Sequence, residues 1–151
     1  MTLADARVLV TGGAGLVGSH LAASLLDRGA TVRVADDLSK GARDRVPDGA
    51  AFVEADLSDP DEVARAVTGD LDIVFHFAAY TDTNYDDDRV LFEENTEMTY
   101  NVLDRMREVG IDRFAFTSSS TVYGEAPRPT PEDYAPLEPI SIYGSSKLAD
   151  E

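Results

Sequence analysis

Tyr143 and Lys147 stand four residues apart in the run Tyr143-Gly144-Ser145-Ser146-Lys147. On a helix that spacing puts both side chains on one face, where the ammonium stabilises a phenolate and draws the tyrosine pKa down toward working pH. Tyr143 is on this reading a candidate general base. Upstream lies a hydroxyl-rich stretch, Ser118-Ser119-Ser120-Thr121, followed by Val122-Tyr123-Gly124. A second chemistry sits near the N-terminus, where a short apolar run from Val8 leads into Thr11-Gly12-Gly13-Ala14-Gly15-Leu16-Val17-Gly18. This reads as strand, tight turn and helix. Gly12, Gly15 and Gly18 permit a sharp turn, close approach of a ligand to the backbone and tight packing of helix on sheet. A helix beginning near Gly15, with Leu16 and Val17 in its first turn, offers unpaired N–H groups and a positive dipole end to a pyrophosphate.

These residues need a sheet to hold them. The first helix carries apolar positions at Leu16, Val17, Leu21, Ala22, Leu25 and Leu26, and a second strand over residues 31–35 ends at Asp36 and Asp37. A carboxylate about 20 residues beyond the glycines is placed to accept hydrogen bonds from an adenosine ribose and to repel a 2′-phosphate. NAD is therefore favoured over NADP, with Lys40 and Arg43 near enough in sequence to soften the repulsion. Residues 38–50 read as a loop and 51–55 as a third strand ending at Asp56-Leu57. Asp56 either meets the adenine amino group or is a plain strand-end acid. Ser58 or Asp59 caps a helix over 60–67 that opens with Pro60 and carries Val63, Ala64 and Val67.

Residues 71–77, with Ile73, Val74, Phe75 and Phe77, form an almost continuous apolar run, the pattern of a parallel strand buried on both faces. Ala78 and Ala79 follow it, small enough for a flat ligand to lie against the backbone. His76 reads as a structural strand residue, and His20 as part of a polar helix face. The polar segment 80–89, with Asp86, Asp87 and Asp88, lacks the alternating ligands and turn glycine of a calcium loop and reads as a solvated loop. A helix over 90–109 has Leu91, Val102, Leu103 and Met106 as core candidates and Gly110 as its stop, and a fifth strand spans 114–117. Alternating strands and helices predict a doubly wound α/β fold with parallel strands in the order 3-2-1-4-5.

Composition narrows the function classes. The net charge is −16 and the sequence pI about 4.3, which argues against polyanionic nucleic acid and anionic membrane as partners. No apolar run is long enough to span a bilayer, and the N-terminus has no signal-peptide pattern, so a soluble cytoplasmic protein is expected. Cysteine is absent, so thiolate metal sites and cysteine nucleophiles are excluded. Lysine occurs only at Lys40 and Lys147, and aspartate outnumbers glutamate, a balance that resembles proteins of salt-loving organisms. Molar salt screens such a surface against itself. The thermal melting point is therefore expected to rise between dilute buffer and molar salt, and a salt-independent melt would refute the halophilic reading.

Taken together, Thr11 to Gly18, Asp36, Asp56-Leu57, His76-Phe77-Ala78-Ala79, Asn95, Ser118 to Gly124 and Tyr143-x-x-x-Lys147 resemble the extended short-chain dehydrogenase/reductase family. The resemblance is to its NAD-dependent nucleotide-sugar epimerases and dehydratases. It implies a Rossmann-type sheet with NAD held at Gly12, Gly15, Leu16, Val17, Gly18, Asp36, Asp37, Asp56, Leu57, Phe77, Ala78, Ala79, Asn95 and Ser118. By the same resemblance Ser119 is the catalytic hydroxyl, Tyr143 the base and Lys147 a contact of the nicotinamide ribose, no metal being required. The dehydratases carry Asp-Glu before the equivalent of Val122, whereas Ser120-Thr121 here resembles 4-epimerases of the UDP-glucose/UDP-galactose kind. The implied substrate is a UDP-hexose.

Family members continue beyond the Tyr-x-x-x-Lys helix into further strands and a substrate-gripping region. Residues 1–151 are thus expected to form an incomplete NAD-binding domain, with the fifth strand as a sheet edge that favours a homodimer or other self-association. Two other readings stay open at this point: a dinucleotide-binding module without catalysis, and a cofactor-free assembly piece.

Overall fold

Val8, Leu9 and Val10 are completely buried, and burial on both faces of a strand demands neighbours on both of its edges and layers on both sides. The computed structural model, which describes residues 3–81 and 88–151, supplies them. Strand β1 (Arg7–Thr11) pairs in parallel with β2 (Thr31–Asp36) on one side and β4 (Ile73–His76) on the other. Beyond them lie β3 (Ala51–Glu54) and β5 (Phe114–Phe116), giving the expected order β3-β2-β1-β4-β5 with β5 at one edge. The registers Thr11↔Ala35, Thr11↔His76, Asp36↔Glu54 and His76↔Phe116 align the carboxyl ends of all five strands. In such sheets ligands bind beyond those ends.

The helices are α1 (Leu16–Asp27), α2 (Pro60–Ala66), α3 (Asp88–Val109) and α4 (Ile142–Asp150), with 3₁₀ turns at Arg43–Arg45 and Ser120–Tyr123. The chain divides into two compact units, one of Met1–Ala79 and Met98–Phe116, the other of Tyr80–Glu97 and Thr117–Glu151. In the first, Ala22 and Leu25 of α1 join Val8, Val10, Val32 and Val34 in one apolar cluster. Asp59 caps α2 by accepting from Asp61 N at 2.9 Å, and Pro60 opens it. In the second, α4 packs on the 3₁₀ turn, with Val122 and Ser146 buried. Ser141 caps α4, its Oγ accepting from Gly144 N at 3.0 Å. Among the described residues no helix is long and apolar enough to cross a membrane.

The turn between β1 and α1 is where glycine is obligatory. Gly12 has φ +62°, and a Cβ there would stand 2.7 Å from Ala78 N, while a Cβ on Gly18 would collide with the carbonyl oxygen of Gly12 and lie 2.8 Å from Gly13 Cα. The obstructing atoms are backbone, so neither position relaxes by a rotamer change. Gly18→Ala is expected to cost about 1–3 kcal/mol, the range for overpacking. An unchanged urea midpoint would contradict the geometry.

Several expectations are corrected in detail. Leu16 and Val17 are 69% and 60% exposed, because the face of α1 turned to the sheet carries Gly18, Ala22 and Leu25. Leu103 is 41% exposed, since the buried stripe on α3 runs through Met98, Val102 and Met106 at intervals of one turn. The fourth strand is shorter than 71–77, and Ile73 and Phe75 are only half-buried on the face shared with α1. Asp86 and Asp87 lie outside the described residues, and Asp88 opens α3.

Candidate functional site

In the first unit the glycine turn forms a cradle. Gly15 is the N-cap of α1 with extended backbone (φ −79°, ψ 176°), and no side chain caps the helix. That end of the helix is thus suited to an anion. Asp36, 7% exposed, ties the turn to the end of β2: Oδ2 accepts from Ala14 N and Oδ1 from Leu38 N, both at 2.9 Å. A carboxylate offers roughly four acceptor positions, so capacity remains for ribose hydroxyls. Asp37 and Asp56 meet in one open pocket of about 380 Å³ with Glu54, Ala55, Glu62 and Arg65. Asp56 Oδ1 also accepts from Ser58 N and Ser58 Oγ, while Leu57 is buried, its carbonyl accepting from Asn101 Nδ2 at 3.1 Å. The floor is the end of β4, where Phe77 N donates to Thr11 O at 3.2 Å and Phe77, Ala78 and Ala79 are half-buried.

The second unit holds the candidate acid–base group. Ser119 Oγ caps the 3₁₀ turn, accepting from Thr121 N at 3.2 Å and from Thr121 Oγ1 at 2.9 Å, and its hydroxyl favours the ionised form of Tyr143. Lys147 lies one turn further along α4 on the same face, but its ammonium faces Asp150, with Nζ 3.5 Å from Oδ2 and both side chains buried. Burial pushes the Tyr143 phenol above its ordinary 10.0, Ser119 pulls it back, and the Asp150 charge pushes it up again. The expectation of a tyrosine pKa lowered by Lys147 is therefore corrected: burial outweighs the hydrogen bond. Burial also drives Lys147 below 10.5, against the pull of Asp150.

Asn95, 2% exposed, clamps this unit. Its Oδ1 accepts from Tyr80 N at 2.8 Å, and its Nδ2 donates to Tyr80 O at 3.1 Å and to Ser146 Oγ at 3.3 Å, joining the segment after Ala79 to α4. Ser118 Oγ donates to Glu151 Oε1.

Residues 8–151 match the NAD dependent epimerase/dehydratase family. The chain belongs to that family. Among its relatives, the UDP-glucose 4-epimerase of Streptomyces lividans is 38% identical over 147 residues, covering 95% of this chain and 45% of its own length. That of Azospirillum brasilense is also 38% identical, over 99% of this chain and 44% of its own. A crystal structure of UDP-galactose 4-epimerase superposes with a TM-score of 0.89 at 44% identity, covering 96% of this chain and 49% of that one. The Thermus thermophilus UDP-glucose 4-epimerase in complex with NAD gives 0.85 at 37%, covering 95% and 48%. The chain spans about half the length of the curated relatives it matches.

The NAD dependent epimerase/dehydratase family implies a dinucleotide, and the residues present fit one: the uncapped N-terminus of α1, the turn that a Cβ at Gly12 or Gly18 would fill, and the Asp36 carboxylate at the end of β2. Sequence reasoning missed Asp150, although its i,i+3 spacing from Lys147 is visible in the chain. It also missed Thr11 and Thr99 as the partners of His76.

Proposed function

We propose that this chain provides the NAD-binding and proton-transfer machinery of a 4-epimerase acting on a UDP-hexose, interconverting UDP-glucose and UDP-galactose. Gly12, Gly15, Leu16, Val17 and Gly18 would hold the pyrophosphate, Asp36 the adenosine ribose, Asp37, Asp56 and Leu57 the adenine end, and Phe77, Ala78 and Ala79 the face of the dinucleotide. Bound NAD supplies reversible oxidation of an alcohol carbon. Tyr143 takes the proton of the sugar 4-hydroxyl as that carbon reaches the ketone level and returns it on reduction. Ser119 hydrogen-bonds the reacting oxygen, and Lys147 contacts the nicotinamide ribose. Rotation of the 4-keto sugar between the oxidative and reductive steps inverts the centre without an external reductant.

The observation that carries this reading is Tyr143 and Lys147 on one face of α4, in a chain whose glycine turn is shaped for a dinucleotide. Ser120-Thr121 before Val122 supports epimerisation over elimination.

The test is calorimetric titration of NAD into the purified chain in molar salt, followed by UDP-glucose in the same sample. Saturable heats for both are expected. Gly15→Asp provides the control, because its extended backbone suits a capping aspartate and a Cβ there meets only Gly12 O, at 3.1 Å. Helix α1 gains a side-chain cap while the new carboxylate repels a pyrophosphate, so NAD affinity should fall at least about tenfold in a variant whose circular dichroism and melting point match wild type. Absence of NAD heat from the folded wild-type chain would overturn the cofactor assignment. NAD heat without UDP-glucose heat would favour a dinucleotide-binding module over an epimerase.

A further inference from the structure

His76 is 2% exposed and is hydrogen-bonded at both ring nitrogens. Its Nδ1 lies 2.8 Å from Thr11 Oγ1 and its Nε2 3.3 Å from Thr99 Oγ1, while the ring stacks on Phe114 at 5.9 Å between centroids. The direction of these bonds follows from counting. Thr11 Oγ1 also receives two backbone donors, Ala78 N at 3.3 Å and Phe77 N at 3.2 Å, the latter shared with Thr11 O at 3.2 Å. A hydroxyl has two lone pairs and one proton, so with both lone pairs facing amide donors the Thr11 proton is directed to His76 Nδ1. Nδ1 is then an acceptor, the ring proton resides on Nε2, and Nε2–H donates to Thr99. Both threonines are buried, at 0% and 3% exposure.

We infer that His76 is a positioning residue that locks the end of β4 through Thr11: its neutral, Nε2-protonated ring fixes the Thr11 hydroxyl, which holds the amides of Phe77 and Ala78. Resting on the dinucleotide reading above, this makes His76 the residue that sets the floor of the NAD site without touching the cofactor. The need for the lock is steric as well. Ala78 N lies against the position where a Cβ of Gly12 would be, so a small shift of this strand end moves one wall of the glycine cradle. A ring with its proton on Nδ1 would confront the Thr11 proton. The hydroxyl could then turn only by giving up Ala78 N or its share of Phe77 N.

Two substitutions separate this role from simple core packing. Asparagine places an amide oxygen where Nδ1 now accepts, whereas glutamine reaches the Nε2 position and serves Thr99 alone. His76→Asn is expected to keep amide hydrogen exchange at Phe77 and Ala78 slow and NAD affinity close to wild type. His76→Gln should accelerate exchange at Ala78 above all, since Phe77 N keeps Thr11 O, and weaken NAD binding roughly tenfold, the scale for an unsatisfied buried hydroxyl. Nitrogen-15 NMR of the wild-type chain should show a pyridine-type Nδ1 and a pyrrole-type Nε2. The reverse tautomer, or rescue by glutamine and not by asparagine, would overturn the inference, as would destabilised packing with equal exchange in both variants. Exchange and tautomer are read without NAD. Failure of the wild-type chain to bind NAD therefore defeats the dinucleotide reading separately.

Discussion

Lys147→Met is expected to destabilise the chain, because it strands the buried Asp150 carboxylate, but by less than the roughly 3–5 kcal/mol usual for one member of a buried ion pair, since burial already disfavours the lysine charge. The lysine and its partner Asp150 are almost fully enclosed, with side chains 4% and 2% exposed and 3.5 Å between Nζ and Oδ2. Methionine matches the stem of lysine in size, so the cost is electrostatic: the Asp150 carboxylate stays buried without its ammonium. Lys147→Met combined with Asp150→Asn should recover most of the loss, because neither charge then has to be desolvated. The pH dependence adds a second signature. Burial lowers the Lys147 pKa below 10.5, so the unfolded chain binds that proton more tightly than the folded one. This group's contribution to stability therefore rises as pH climbs from the depressed folded value toward 10.5, and that rise should vanish in the methionine variant. Urea unfolding of the single and double variants across pH checks both points. Equal midpoints for wild type and Lys147→Met would show that the pair is not buried in solution.

What the sequence disclosed and what it hid follow one physical division. Strand order, the glycine turn and the carboxylate at the end of β2 are written in local patterns: apolar runs of strand length, glycines at turn spacing, and an acid one element later. Element ends were less legible, because they depend on partners. The apolar run 71–77 outlasts the paired residues of β4, although Asp72 N and Phe77 N at its flanks still donate to Arg7 O and Thr11 O of β1. Leu16, Val17 and Leu103 are apolar yet exposed, because hydrophobicity in one dimension does not say which residues of a helix face the sheet. The His76 network was out of reach for the same reason, joining residues separated by 65 and 23 positions. Asp150 illustrates the limit most directly. Its spacing from Lys147 was readable, but an i,i+3 pair in water contributes only a few tenths of a kcal/mol, and its importance here comes from burial.

That burial shapes the second large effect, on turnover by the proposed epimerase. Tyr143→Phe is expected to slow UDP-glucose to UDP-galactose conversion by roughly 10²–10⁴-fold, the scale of a lost general acid–base group, with NAD affinity little changed. The pH profile should be distinctive. Desolvation and then the Asp150 charge raise the Tyr143 pKa above 10.0, with the Ser119 hydrogen bond opposing them, so near neutrality the side chain is a phenol. It is thus set to give a proton and must be ionised to take one, and the rate of the oxidative half should climb toward alkaline pH. Asp150→Asn removes the negative charge that disfavours the phenolate. The rising limb should consequently shift to lower pH, even though the same change also withdraws the carboxylate that supports the Lys147 charge. Ser119→Ala should move the limb the other way, since that hydroxyl favours the ionised tyrosine. Opposite shifts from Asp150 and Ser119, both lost in the Tyr143→Phe background, would assign the limb to Tyr143. A limb unmoved by either substitution would assign it to another group and remove Tyr143 from the role of base.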